Sequence, residues 1–371
     1  MPTVKIFHRY ISLALLVFWT LQVLTGILLV FRWEIEDSMV PGASASAPAV
    51  DPGAIGSRLD AIVHDGGTVT QMWASTIASR RFDVGYVDAG GTERSMRIDG
   101  AGHVLRDRDP ATLFAGSGIF DTLTGLHVDL LAGDVGHWIV RISGIFLFTN
   151  LVLGLKLAWP RVGTWRRSLL TRPKGAPVAR WYGWHRVLGL WVVPLVLVTI
   201  GAGALLSFEH PLQDALDTPI PEPVGIEPAA AVTTPTAAMT TALARFPGAT
   251  LSAVIMPSEQ APWYRVRLRT AQEMLNNWGK TTVFVSAADG SILSDHDARQ
   301  ASAGQSFMYA LYPLHTGQVA GTVGRVVVLL TGIWFITMGV FGVRLWLGRR
   351  RRASAAQAAN VQSTQVSTSE A

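Results

Sequence analysis

The chain has 371 residues, 49% of them hydrophobic and only 15% charged, with no cysteine and a formal net charge of +5. A mean hydropathy of +0.31 places it in the membrane class. The missing cysteine excludes disulfides, thiolate metal sites, cysteine-held iron–sulfur clusters and covalently attached c-type haem, so any redox chemistry needs a cofactor held by other side chains, histidine above all.

In chain order, the first apolar run is "YISLALLVFWTLQVLTGILLVF" (10–31). It is longer than the core of a signal peptide, and "RWEIED" separates it from the "ASASA" at 43–47 that resembles a cleavage site, so an uncleaved span is expected. A linker, "VPGASASAPAVDPG", then leads to a helical stretch, "AIGSRLDAIVHDGG", and to alternating strand-like segments, "RRFDVGYVDAGGTERSMRIDGAGHVLRD", whose last hairpin turns at "DGAG". A second span is expected near 138–159. A loop follows with Arg161, Arg166, Arg167, Arg172, Lys174 and Arg180, and a third span near 187–208. The second linker, "PEPVGIEPAAAVTTPT", precedes another helix ("TAAMTTALARFPG") and more strands ("PWYRVRLRT", "KTTVFVSAADGSILSD") with a turn at "AADG". The fourth span is expected near 326–347, ahead of "GRRRRAS" and a polar, low-complexity tail predicted to be disordered. Each apolar run meets the length of about 20 residues that a helix needs to cross a hydrocarbon core.

The predicted division is therefore helix 1 at 1–33, an extracytoplasmic module at 34–125, helix 2 at 126–160 and a basic loop at 161–183. Helix 3 follows at 184–209, a second module at 210–313, helix 4 at 314–348 and the tail at 349–371. By the positive-inside rule the basic loop, the tail and Lys5 with Arg9 belong in the cytoplasm, which puts both termini there. The basic balance thus reports topology and lipid headgroups, and no nucleic-acid partner is expected.

The two halves repeat. "LHVDLLAGDVG" (126–136) and "LHTGQVAGTVG" (314–324) pair His127 with His315, Gly133 with Gly321 and Gly136 with Gly324. At the same offset Gly102 meets Gly290, Asp107 meets Asp295, Gly144 meets Gly332 and Gly154 meets Gly342. At a slightly shorter offset "FHRYISL" meets "WHRVLGL", pairing His8 with His185, Arg9 with Arg186 and Gly26 with Gly203. The expected fold is a membrane protein of four transmembrane α-helices in two parallel repeats about an axis along the membrane normal, with two small α+β extracytoplasmic modules.

A parallel twofold sets His8 opposite His185 at the cytoplasmic face and His127 opposite His315 at the other. Two imidazoles facing across a bundle are the usual axial pair of a b-type haem, and nearby glycines would let the macrocycle approach the backbone. Two haems are expected, one near each membrane face. The bland alternative is interfacial histidines and packing glycines. His137 and His210 are unpaired and stand as reserve ligands. Arg141 and Arg325, at the outer ends of spans two and four, either snorkel or bind haem propionates. His64, His103 and His296 are expected to face solvent, and Trp19, Trp33, Trp138, Trp159, Trp184 and Trp346 to form an aromatic belt. No GxGxxG after a strand and no P-loop is present, so the electron donor is expected to be a cytoplasmic reductase or the quinol pool.

"HR…G" opening spans one and three, "LH…G…G" before spans two and four, and the "V.VSAADGSIL" hairpin together resemble the PepSY-associated transmembrane family over nearly the whole chain outside the linkers and tail. The resemblance implies two PepSY-like modules in a bacterial inner-membrane haem protein similar to ferric-siderophore reductases, with the family histidines falling on His8, His127, His185 and His315. One departure is Ser12, which stands where the second half has Gly189. The resemblance implies an enzyme that delivers electrons to a periplasmic acceptor such as a ferric siderophore and uses no catalytic acid, base or nucleophile. The rival expectations are a non-enzymatic membrane regulator, because PepSY-like modules resemble peptidase inhibitors, and a transporter accessory. The acidic and basic residues of the modules, mixed along the chain, predict an adaptable surface instead of a charged pocket.

Overall fold

A computed structural model describes residues 2–40, 48–75, 80–109, 118–220, 222–227, 232–273 and 278–369. The "ASASA" segment lies outside the described residues. Among the described residues, four helices are long and apolar enough to cross a membrane. They are α1 (Pro2–Leu29), α5 (Gly133–Ala158), α7 (Pro177–Leu206) and α11 (Gly321–Ser369). Between α1 and α5 lie α2 (Arg32–Met39), α3 (Pro52–His64), β1 (Thr68–Ala74), β2 (Arg81–Val87), β3 (Glu93–Asp99), β4 (Val104–Arg108) and α4 (Gly118–Val128). A short α6 (Trp165–Leu170) precedes α7. Between α7 and α11 the same order returns as α8 (Glu209–Leu216), α9 (Pro235–Arg245), β5 (Thr250–Ile255), β6 (Trp263–Arg269), β7 (Thr281–Ser286), β8 (Ile292–His296) and α10 (Ala303–Thr316).

The expectation of two separate modules needs amending. Among the described residues, eight strands form one antiparallel sheet in the order β4-β3-β2-β1-β5-β6-β7-β8. The seam is β1 against β5, where Met72 faces Val254, flanked by Gln71 with Ile255 and Trp73 with Ala253. Neither seam strand is among the expected elements, because "TVTQMWA" and "TLSAVI" lack clean alternation of apolar and polar residues. Each outer hairpin turns where expected, with Gly102 at φ +74° and Gly290 at +75°, values open to glycine without a Cβ clash.

One face of the sheet is apolar. Ile55, Leu59 and Ile62 of α3 and Ala238, Met239 and Ala242 of α9 pack on Met72, Val84, Ile98, Val254, Val266, Val283 and Val285, a single core across the seam. Burying each large aliphatic side chain contributes roughly 1.5–3 kcal/mol. The helices start on Asp51, which accepts from the Gly53 and Ala54 amides, and on Thr234, which accepts from Ala237.

The strand period sends the alternate residues to the other face, where arginines collect. Arg97 is 1% exposed and is ringed by carboxylates: Glu36 at 3.0 Å, Asp37 at 3.2 Å and Asp83 at 2.8 Å. Glu36 and Asp37 come from α2, which continues from α1, so this cluster fastens the sheet to the end of the first span. Trp33 of α2 meets Trp278 edge-on at 6.1 Å, and Trp278 in turn packs on Tyr312 of α10 at 5.2 Å. The polar face therefore lies over the ends of the membrane helices.

The tail departs from the predicted disorder. Past Gly348 no glycine or proline interrupts "RRRRASAAQAANVQSTQVSTS", so nothing stops the backbone ladder, and α11 runs on to Ser369. Trp19 also departs from the aromatic belt: it is 2% exposed inside the bundle and donates to Ser143 Oγ at 2.9 Å.

Arg97→Ala leaves three carboxylates facing one another in a buried site, and it should lower stability by about 3–5 kcal/mol in thermal unfolding of the detergent-solubilised protein. Burial works against the charge of Asp83, but Arg97 outweighs it and holds the carboxyl below the usual range. The stabilisation from this depressed group is present above the unfolded aspartate value of about 3.9 and is lost as pH falls through the lower folded value. Arg97→Ala should weaken that acid step in a plot of Tm against pH; an unchanged step would assign the step to other carboxylates.

Two facing histidine pairs

His8 on α1 and His185 on α7 face each other with ring centroids 6.4 Å apart and planes at 64°. His127 and His315 face each other at 6.0 Å with planes at 29°. The latter two lie not on the spans but on α4 and α10, which precede them: α4 crosses the expected 125/126 boundary and α10 the 313/314 boundary. α4 packs against α1 and α10 against α7. A tight turn then reverses the chain into α5 or α11. Gly133 and Gly321 have φ of +53° and +58° at that turn, and a Cβ on Gly136 or Gly324 would meet the carbonyl oxygen of Asp129 or Gly317. The "LH…G…G" spacing is thus the signature of a short helix folded back onto a span.

Three of the four imidazoles reach a carbonyl on a neighbouring helix. His8 Nδ1 lies 3.1 Å from Asn150 O, His127 Nδ1 3.0 Å from Gln22 O, and His315 Nδ1 3.0 Å from Thr199 O. For His185 the corresponding carbonyl is that of Met338, but its Nδ1 stops short of hydrogen-bond geometry. A carbonyl only accepts, so in the three bonded rings Nδ1 carries the proton and Nε2 keeps its lone pair. Thr25 Oγ1, also 3.0 Å from His127 Nδ1, is a second acceptor there.

The glycines explain how a helical carbonyl, already engaged along its own helix, takes a second donor. Gly26 stands four residues after Gln22, Gly203 after Thr199, Gly154 after Asn150 and Gly342 after Met338. A helical side chain leans back over the turn before its own Cα, and would cover that carbonyl. A Cβ on Gly26 would lie 3.1 Å from His127 Cε1, and one on Gly154 3.0 Å from His8 Cε1; on Gly203 it would press still closer on His315. Among these four, the glycines whose neighbours are packed that closely make room for the imidazole, a role distinct from the approach of a macrocycle to the backbone. Gly342 has nothing within 4 Å. Ser12 acts locally, where its hydroxyl donates to His8 O at 2.6 Å and accepts from Asn150 Nδ2 at 2.9 Å.

Between the helices around His8 and His185 lies a cavity of about 420 Å³ with mostly apolar walls, including Trp334, Phe335 and Met338, and with Lys5, Arg9, Arg186 and Arg349 at one end. Arg186 is anchored to Ala158 O at 3.1 Å, whereas Arg9 Nε is buried without a partner. These two arginines come from the repeated "HR" and were legible as a pair, though not as the charged rim of a cavity.

The remaining candidates stand elsewhere. Arg325 donates to Val30 O at 3.0 Å and pairs with Glu34, capping the end of α1, while Arg141 stacks over Trp138 at 5.0 Å and Phe208 at 5.6 Å. Arg325 is thereby engaged by the chain itself, whereas Arg141 Nε, like Arg9 Nε, is buried without a hydrogen-bond partner. His137 is half-buried at the position where the second half has Arg325, His210 is exposed, and neither joins a facing pair. His64 and His103 are exposed as expected, His103 bonding to Asp99 at 3.1 Å. His296, expected to face solvent, instead bonds to the Tyr309 hydroxyl at 2.8 Å.

Among the described residues no three His, Cys, Asp or Glu gather as a metal site. What the fold offers is two sites of two nitrogens each. Imidazoles on opposite sides of one metal have ring centres roughly 6.3 Å apart, from metal–nitrogen bonds of about 2.0–2.1 Å and ring radii of ~1.1 Å. Both pairs fit that spacing. Two protein nitrogens would leave most positions of a six-coordinate ion to be filled by other ligands. From His8 to Gly26 the rise along α1 is about 27 Å at ~1.5 Å per residue, so the pairs are separated by most of a hydrocarbon core of about 30 Å.

Fold and site together define a four-span membrane protein with paired histidines at both ends of its bundle. The family model of the PepSY-associated TM region matches residues 6–349, and the chain belongs to that family. Among curated proteins none matches the chain.

Gly26→Val and Gly203→Val should each cost about 1–3 kcal/mol in thermal unfolding, through overpacking and a displaced buried imidazole. Gly342→Ala, which meets open space, should cost no more than about 1 kcal/mol and serves as the comparison. Equal effects at all three positions would contradict the role given to the uncovered carbonyls.

Proposed function

We propose that the chain is an inner-membrane b-type haem protein that carries electrons from the side of the basic loop to an acceptor on the side of the sheet, and that this acceptor is Fe(III) held in a siderophore. The observation that supports this best is the pair of facing imidazole sets, each at bis-imidazole spacing, with Nδ1 held by a helix carbonyl in three of the four rings. His8 and His185 would hold one haem and His127 and His315 the other. A haem iron bound by two imidazoles gains or loses one electron without ligand loss, the chemistry a transfer chain needs.

The residues present fit the group. Held at Nδ1, each bonded ring offers Nε2 in the one tautomer that can ligate, and the outer carbonyl bond raises its basicity. The cavity at the loop-side pair combines apolar walls for a macrocycle with basic residues, Arg9 and Arg186 among them, that would suit its carboxylates. Between the two pairs Trp19, Leu147, Leu151, Val193 and Val196 form a buried apolar cluster, most of which also lines the inner end of the loop-side cavity. Ferric iron takes one electron and becomes ferrous; no protein bond forms or breaks and no proton needs an acceptor. The less charged ion is held less tightly by hard oxygen donors, which favours release.

The same proposal has two parallel repeats about an axis along the membrane normal, both termini in the cytoplasm, contact with anionic lipid through the basic loop, and a quinol or cytoplasmic reductase as donor. Reporter fusions at Gly175 and at the C-terminus should be active only as cytoplasmic reporters, and a periplasmic signal at either overturns the topology.

Pyridine haemochrome of the purified protein should approach two haems per chain. His127→Ala or His315→Ala should remove one haem and leave the other, as should His8→Ala or His185→Ala. Full haem content in both variants of one pair would reject that pair.

A further inference from the structure

A second cavity, of about 310 Å³, lies between the polar face of the sheet and the ends of the bundle. Arg32, Arg106, Arg108, Trp33, Trp73 and Trp278 line it, together with buried Arg97. Mixed charge along the chain predicts no such pocket. The fold instead sorts the charge, because Arg97, Arg106 and Arg108 alternate with residues that point to the opposite face of the sheet.

The carboxylates on the wall are already engaged. Asp83 receives Arg97 Nε at 2.9 Å and Nη2 at 2.8 Å, and Asp121 receives Arg32 at 2.6 Å and also Arg108. Arg106 touches Asp83 only at 3.5 Å. Nε and Nη1 of Arg106, Nε and Nη1 of Arg108, and Nε of Arg32 are buried without a partner. A buried donor left without an acceptor is costly, the more so on a charged group, and three arginines lining this cavity carry such donors. Burial, then Arg97 and Arg108, work against the charge of Arg106 and hold it below the ordinary guanidinium range, which an added anion would relieve.

The floor touches the helices that carry the sheet-side histidines. Arg32 donates to Thr124 Oγ1 at 2.9 Å, three residues before His127, and Trp278 packs on Tyr312, three residues before His315. The tryptophans add flat faces: Arg32 lies over Trp33 at 4.6 Å and Arg267 over Trp73 at 5.1 Å. Guanidinium forks bind oxyanions in pairs of parallel bonds, and a cavity of roughly 300 Å³ lies at the small end of ligand sites.

We propose that this cavity docks a negatively charged oxygen-donor chelate of a trivalent metal beside the His127–His315 pair, with Arg106 and Arg108 binding its oxygens. The proposal rests on the electron-transfer reading for the identity of the metal, but not for binding itself.

Gallium(III) chelates do not accept an electron under these conditions and so report docking alone. The full chain in phosphatidylcholine nanodiscs is titrated with anionic Ga(III)–EDTA and with the neutral Ga(III) tris-acetohydroxamate, followed by tryptophan fluorescence and calorimetry. The anion should bind at least about tenfold more tightly, weakening with salt, and Arg106→Gln with Arg108→Gln should remove that preference. Arg106→Lys, which keeps the charge, should restore part of it, while Arg245→Gln, outside the cavity, should change nothing. Binding blind to charge, or unaffected by the double variant, overturns the proposal and leaves the haem reading intact. Charge-selective binding in a protein that no Fe(III) chelate reoxidises supports the site while defeating the siderophore assignment.

Discussion

A helix carbonyl can hold a second donor only where nothing covers it. At Gln22, Thr199 and Asn150 the residue four places on is glycine, and a histidine from the adjoining helix takes the exposed oxygen. That single constraint ties together features that look unrelated along the chain. It brings α4 against α1 and α10 against α7 at hydrogen-bond distance, and in the three bonded rings it selects the tautomer that leaves Nε2 unprotonated. The folded-back turns at Gly133 and Gly321 bring the short helices to that place. Losing the glycine would cost more than packing, since the imidazole would lose both its position and its bond.

The sheet extends the same economy outward. Its apolar face is closed by α3 and α9, and so needs no membrane. Its polar face carries buried Arg97, whose carboxylate partners Glu36 and Asp37 lie on the continuation of the first span. Charge placed this deep is expensive unless fully paired, and the pairing couples the sheet rigidly to the bundle. Where pairing is incomplete, at Arg106 and Arg108, the residues line a cavity between the sheet and the bundle.

Much of this was legible in the sequence, for physical reasons. Spans announce themselves by length and hydropathy, and the duplication preserved His8 with His185 and His127 with His315 in register, so the facing pairs could be named from the repeat alone. The glycines were legible as a pattern but not in their role, because their spacing of four from a carbonyl acquires meaning only beside another helix. The joining of two modules through β1 and β5 was hidden, since antiparallel pairing of distant strands leaves no local signal. Arg141 and Arg325 were plausible by depth alone; their partners Trp138, Val30 and Glu34 depend on how helices end. The basic cavity was obscured because charge that is mixed along the chain is separated by a period of two across a sheet.

The central claim is that each facing pair ligates one iron. Low-spin ferric haem with two imidazole ligands has an electron paramagnetic resonance spectrum that depends on the angle between the ring planes. The oxidised protein at low temperature should therefore give two low-spin signals, the more rhombic from the pair at 29° and the more anisotropic from the pair at 64°. Loss of the former in His315→Ala and of the latter in His185→Ala would assign them. A high-spin spectrum, a single low-spin species at full haem content, or no ferric signal from protein made with ample haem would contradict the account.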